Sequence, residues 1–196
     1  MVHATPASAK LALRAEMRAR RQALAADHPQ AAEDAARRLP LDALPPFRIV
    51  AGYVRHGAEI SPAAVLARLQ AAGARLALPV TVAPDAPLVF RAWTSDADHV
   101  ADAAGVRGPP PGAEELVPDL LIVPLVAFDR QGGRLGQAGG HLDRSLAALV
   151  AEKPVFAIGL AYAGQEVARI PREEHDRRLD AILTEKEYIA VRKDVE

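Results

Sequence analysis

Leu120-Leu-Ile-Val-Pro-Leu-Val-Ala-Phe-Asp-Arg-Gln-Gly-Gly-Arg-Leu-Gly-Gln-Ala-Gly-Gly-His-Leu-Asp-Arg144 holds the strongest clue to the architecture. An apolar run leads into a loop with five glycines between Gly132 and Gly140, and a helix-forming segment, His141 to Glu152, follows. A buried strand, a glycine loop and a helix in that order form the context in which backbone N–H groups can cradle an anion. The spacing fits neither the GxxxxGK[ST] phosphate loop nor the GxGxxG dinucleotide fingerprint. As generic chemistry, the alternatives are a phosphate cradle and a plain surface turn.

Working outward, strand and helix signals alternate. Residues 8–26 mix Leu11, Leu13, Met17 and Leu24 with Ala, Arg, Gln and Glu, which predicts a helix. A second helix is expected from about Gln30 to Leu39, before Pro40. Arg48 to Val54 reads as a buried strand. Ser61-Pro62 starts a helix that ends at Gly73. Leu76–Val80, Leu88–Trp93, Leu120–Pro124, Val155–Leu160, Ala181–Thr184 and Tyr188–Arg192 are the remaining strand candidates. Alternation of this kind predicts an α/β fold, a single domain over residues 1–196 with a largely parallel sheet and helices on both faces. Residues 94–118, rich in Pro, Gly and Asp, are expected to form an irregular insertion within it.

Composition narrows the function classes. With 196 residues and 50% hydrophobic content, the chain can bury a sizeable core. A net charge of −1 argues against a generic nucleic-acid surface. The absence of cysteine removes thiolate metal sites and a cysteine nucleophile. No apolar run approaches the ~20 residues of a membrane span, and the N-terminus has no apolar signal core, so a cytoplasmic protein is expected.

The residues around the glycine loop resemble a known signature. Val123-Pro-Leu-Val-Ala-Phe-Asp129, Arg134-Leu-Gly136, Gly139-Gly140 and Asp143-Arg144 are similar to the motif of the 5-formyltetrahydrofolate cyclo-ligases, also called methenyltetrahydrofolate synthetases. Lys10-Leu-Ala-Leu-Arg14, Glu59-Ile60, Ile158-Gly-Leu-Ala-Tyr162 with Gln165, and Pro171 through His175-Asp176 to Leu179-Asp180 extend the likeness in order along nearly the whole chain. The resemblance implies a three-layer α/β fold similar to ribose-5-phosphate isomerase and coenzyme A transferase domains. It also implies an ATP- and Mg²⁺-dependent cyclisation of 5-formyltetrahydrofolate to 5,10-methenyltetrahydrofolate. A monomer is expected, with a weak homodimer as the alternative, and neither nucleic acid nor membrane as a partner.

Carried over residue by residue, the resemblance assigns Lys10, Leu11, Ala12, Leu13, Arg14, Arg134, Leu135, Gly136, Gln137, Ala138, Gly139, Gly140, His141 and Leu142 to ATP. Among these, Lys10, Arg14, Arg134 and His141 are the candidate catalytic groups. Val54, Glu59 and the stretch Gln137, Ala138, Gly139, Gly140 and His141 are assigned to the folate, and Asp143 and Asp176 to magnesium. Lys10 and Arg14 stand one helical turn apart, with Arg18 a turn further, so the basic stripe has a bland reading as a solvated helix face. Glu59 likewise has a bland reading as an exposed loop acid. The loop departs from the family's usual Gly-Gly-Gly-Tyr-Tyr-Asp: Ala138, His141 and Leu142 replace a glycine and two tyrosines. Two rivals follow, namely a paralogue acting on another substrate and a non-catalytic folate or nucleotide binder.

Overall fold

The computed structural model describes residues 6–83, 86–94, 99–137, 141–171 and 176–191, with the side chains of residues 6, 7 and 141–143 outside the description. The helices are α1 (Pro6–Asp27), α2 (Ala31–Arg38), α3 (Ala63–Ala71) and α4 (His141–Glu152). The strands are β1 (Ile49–Ala51), β2 (Arg75–Val80), β3 (Val89–Ala92), β4 (Val100–Ala101), β5 (Arg107–Gly108), β6 (Leu120–Pro124), β7 (Ala127–Phe128), β8 (Arg134–Leu135), β9 (Phe156–Leu160), β10 (Ala181–Leu183) and β11 (Tyr188–Ala190).

Seven strands form one sheet in the order β11-β10-β9-β6-β1-β2-β3. The five from β10 to β2 run parallel, and β3 and β11 close the two edges antiparallel. The pleat sorts side chains by parity, as strand geometry requires. Val50, Leu76, Leu120, Ile122, Ile158, Leu160, Ala181 and Leu183 face the layer of α2 and α3. Ala51, Ala77, Leu121, Val123, Ala157 and Ile182 face the opposite layer, where Leu146 and Leu149 of α4 pack. Strands buried on both faces explain why β6 and β9 read as unbroken apolar runs in the sequence.

The expected elements are present, with differences that have physical causes. The first strand stops at Ala51 instead of reaching Val54; Gly52 N–H still donates to Ala77 O at 3.1 Å, and a Cβ on Gly52 would stand 2.5 Å from Leu66, so a close packing of the chain on α3 ends the strand there. The 94–118 segment is not wholly irregular, since β4 and β5 pair across it and Asp102 anchors it. The Asp102 carboxylate accepts N–H bonds from Thr81, Ala104 and Val106 at 2.8, 2.9 and 2.9 Å. The glycine loop is itself partly built as a hairpin, with β8 paired antiparallel to β7.

That hairpin turns on Asp129, which is only 1% exposed. One carboxylate oxygen accepts the N–H groups of Gln131 and Gly133 at 3.0 and 2.8 Å, and the other accepts Ile170 N–H at 2.8 Å. A Cβ on Gly133 would lie 2.4 Å from that carboxylate, and Gly132 adopts φ 81° with Leu179 O 2.7 Å from where its Cβ would be. Both positions therefore require glycine.

Candidate active site

Parallel strands that end together leave their following loops together, and in open α/β sheets ligands bind at that carboxyl edge. Here the loops after β1, β6, β9 and β10 carry Glu59, the glycine hairpin, Tyr162 and Glu185 respectively. Helix α1 lies across them. Its Met17 is fully buried with Val126, Ala127, Leu135 and Ile170, and Leu13 packs against the same cluster.

With that seam fixed, the basic residues one turn apart come to bear on the loop. Lys10, 8% exposed, forms an ion pair with Asp176 at 2.6 Å. Arg14 Nε donates to Gly136 O at 3.0 Å. Arg18 donates to Gln137 O at 2.7 Å and to Gln137 Oε1 at 3.2 Å. Arg21 donates to Leu125 O at 3.2 Å and stands 3.7 Å from Glu59 Oε1. The stripe clamps the loop and its neighbours, with Lys10 and Arg21 buried, Arg14 half-buried and Arg18 exposed.

Glu59 is 5% exposed, which overturns its bland reading as a surface acid. Its Oε1 accepts from Gln137 Nε2 at 3.1 Å, and its Oε2 from His56 N–H at 2.9 Å. Arg55 Nε donates to the Glu59 main-chain carbonyl at 2.8 Å, and Tyr53 donates its hydroxyl to Ile60 O. Burial, and then the Glu59 charge, push the Tyr53 phenol well above its ordinary value, so it stays a donor. Burial pulls the Arg21 guanidinium down while Glu59 opposes that shift. An arginine so placed remains charged.

Several expected site residues therefore meet. Lys10 and Asp176 are in contact, Arg14 touches Gly136, and Gln137 joins the loop to Glu59. Arg134 is buried and donates to Arg177 O, which fastens the hairpin to the segment holding Asp176. Leu135 is 1% exposed and belongs to the core under the loop. Leu11 and Ala12 are exposed on another face of α1, and Val54 is half-buried. Ala138, Gly139 and Gly140 lie outside the described residues, and of His141, Leu142 and Asp143 only the helical backbone is described; it sets Asp143 in the first turn of α4.

Two contributors have no role assigned from the sequence. Arg21 lies three residues past Arg18, on the same helix face as 10, 14 and 18, and that i+3 step is the available signal. Gln165 is 1% exposed and donates to Leu125 O and Val126 O at 2.9 Å each, while its Oε1 accepts Tyr162 N–H at 2.8 Å. It holds the loop after β6 to the loop after β9. In the sequence Gln165 stands only as one residue of the resemblance.

A glycine-rich hairpin, a row of basic residues bonded to it and a buried carboxylate thus meet at the carboxyl edge of a parallel sheet, where α/β enzymes of this architecture bind their ligands. The sequence model of the 5-formyltetrahydrofolate cyclo-ligase family matches residues 6–185, and the chain belongs to that family. It is 36% identical over 150 residues to the 5-formyltetrahydrofolate cyclo-ligase of Mycolicibacterium smegmatis, covering 72% of this chain and 76% of that one. It is 33% identical over 140 residues to the Escherichia coli K12 enzyme of the same name, covering 69% and 76%. The 5,10-methenyltetrahydrofolate synthetase of Aquifex aeolicus superposes with a TM-score of 0.76 at 26% identity, covering 95% of both chains.

Proposed function

We propose that the protein closes the imidazoline ring of 5-formyltetrahydrofolate at the expense of ATP, giving 5,10-methenyltetrahydrofolate, ADP and phosphate. The observation that carries this reading is the Gln137 bridge. One residue of the glycine loop is held by Arg18 and reaches Glu59, so the anion cradle and the ring-binding acid share a wall.

The formyl amide is a poor electrophile because its nitrogen donates into the carbonyl. The formyl oxygen attacks the γ-phosphorus of ATP; an O–P bond forms, the bond to the β-phosphate oxygen breaks and ADP departs. N10 then adds to the formyl carbon and loses its proton, and phosphate leaves with the C–O bonding pair. Attack of an oxygen on a triphosphate is opposed by charge, so the protein's work is positioning and charge compensation. Lys10 and Arg14 supply cations on the α1 side, and the loop from Arg134 to Leu142 supplies backbone N–H groups. Glu59 accepts N–H bonds from the pterin, taking the place that Gln137 Nε2 fills in the free protein. His141, where the family has tyrosine, offers a ring N–H as a hydrogen-bond donor in place of the hydroxyl.

The donor chemistry fits magnesium: Asp176 offers a hard oxygen ligand at the edge of the cation row, and Asp143 stands at the start of α4. Two carboxylates from separate segments, with water and phosphate completing the shell, suit that ion. When bound, Mg²⁺ neutralises charge on the phosphate oxygens. Asp143→Asn is expected to abolish turnover in an absorbance assay for the methenyl product while leaving the melting temperature within about 2 °C, the span of a surface change under ~0.5 kcal/mol. Normal activity in that variant would remove Asp143 from the site.

A further inference from the structure

A buried guanidinium is costly, and Arg21 carries that cost with poor local compensation. The residue is 6% exposed, its Nε has no hydrogen-bond acceptor among the described residues, and its only hydrogen bond to main chain is the 3.2 Å contact with Leu125 O. A buried N–H without a partner lowers stability, and a leucine or methionine would pack at such a position more favourably. The residue therefore needs an account other than packing.

Its surroundings supply one. Glu59 is the carboxylate facing it, and among the described residues Arg21 is the ion-pair partner of Glu59. The other cations close by are committed elsewhere. Arg18 is bonded to both oxygens of Gln137, and Arg55 Nε goes to the Glu59 main-chain carbonyl. Tyr53 and Tyr162 complete the ring of titratable neighbours, and neither brings positive charge. The remaining contacts to the carboxylate, Gln137 Nε2 and His56 N–H, are neutral donors. At 3.7 Å, Arg21 NH1 lies beyond hydrogen-bond range of Oε1, so it compensates the charge without occupying the lone pairs that a ring N–H would use.

We infer that Arg21 is a positioning residue for the folate: 3.7 Å from Glu59 Oε1, its guanidinium balances the negative charge of that carboxylate without bonding to it, so that lone pairs of Glu59 stay available to the pterin. The inference rests on the assignment of Glu59 to the folate. It gives the basic residues of α1 that reach the site different tasks, with Lys10 and Arg14 serving the nucleotide and Arg21 serving the other substrate through Glu59. Arg18 stands between, holding the glutamine that joins the two halves.

The test uses the whole enzyme with Arg21→Gln, Arg21→Lys, Glu59→Gln and the double variant Arg21→Gln/Glu59→Gln. Gln and Lys both keep a donor for Leu125 O, and only Lys keeps the charge. Arg21→Gln is expected to raise KM for 5-formyltetrahydrofolate roughly tenfold, about the effect of one charge-assisted hydrogen bond, with KM for ATP moved less than about twofold. Arg21→Lys recovers most of that loss. The double variant is no worse than Glu59→Gln alone, because the guanidinium acts only through the acid. Should Arg21→Gln fail to fold, the double variant, which leaves no unpaired buried charge, and Arg21→Lys carry the comparison. Additive effects, a parallel rise in both KM values or an Arg21→Lys variant as impaired as Arg21→Gln would overturn the inference. If Glu59→Gln leaves the folate KM unchanged, it is the assignment of Glu59 itself that fails.

Discussion

Asp129 shows how a single side chain sets the geometry of the site. In the sequence it ends the Val123–Asp129 stretch of the resemblance, where the apolar run gives way to glycines; nothing in its spacing says that its carboxylate caps three backbone N–H groups. Asp129→Ala strands those donors in a buried turn and is expected to lower stability by about 3 kcal/mol. Chemical denaturation checks this, and a change below about 0.5 kcal/mol would mean that the hairpin holds without its cap. His141 is the second residue of consequence. The sequence shows that it stands where the family has tyrosine but is silent on what an imidazole does there. Substitution His141→Tyr is expected to preserve or raise turnover, as read by product absorbance. A collapse in folate affinity would show a loop adapted to another ligand.

Among the elements, the helices and the central strands were readable because period and burial agree: β6 and β9 are apolar throughout, and α1 repeats its seam and its cations turn by turn. Strand direction at the edges was not readable. The three residues of β11 and the four of β3 carry no sign of which way they run, and their antiparallel pairing follows from short returns of the chain. The β4–β5 pair was hidden for a similar reason, since two-residue strands have no periodicity.

The anchor of β1 lies with Asp119, which ties the start of the strand to Lys153, the residue just after α4. One Asp119 oxygen accepts the N–H groups of Arg48 and Ile49 at 2.8 Å each, and the other meets Lys153 Nζ at 2.7 Å. Burial raises the Asp119 carboxyl, but the Lys153 ammonium and the two backbone donors outweigh it, and the net shift is downward. A carboxyl held low binds fewer protons folded than unfolded. Its contribution is present above the ordinary carboxylate value of about 4 and is lost as pH falls through the lower folded value. Asp119→Asn should therefore reduce stability at neutral pH and flatten the acid limb of a stability–pH curve. An unchanged acid limb would show that this carboxyl is not a source of the acid sensitivity.

For the molecule as a whole, the sheet brings to one edge residues that lie up to 166 positions apart in sequence, as the Lys10–Asp176 pair does. No local pattern announces such a meeting. The sequence resemblance proposes which residues belong to the site, and the fold adds how the described ones are held: Met17 seats α1, the Asp129 turn shapes the hairpin, and Gln137 connects its rim to Glu59. Arg21 escaped notice because it stands in an arginine-rich stretch, Arg18 to Arg21, where one cation looks like the next until burial distinguishes them.

The central claim, that one pocket couples phosphoryl transfer to closure of the folate ring, is tested most directly by following methenyl product and ADP together in the purified protein with 5-formyltetrahydrofolate, ATP and Mg²⁺. The account predicts that the two appear in equal amounts and that neither forms when the other substrate is withheld. ADP released without the methenyl product, or product formed without ATP, would contradict it.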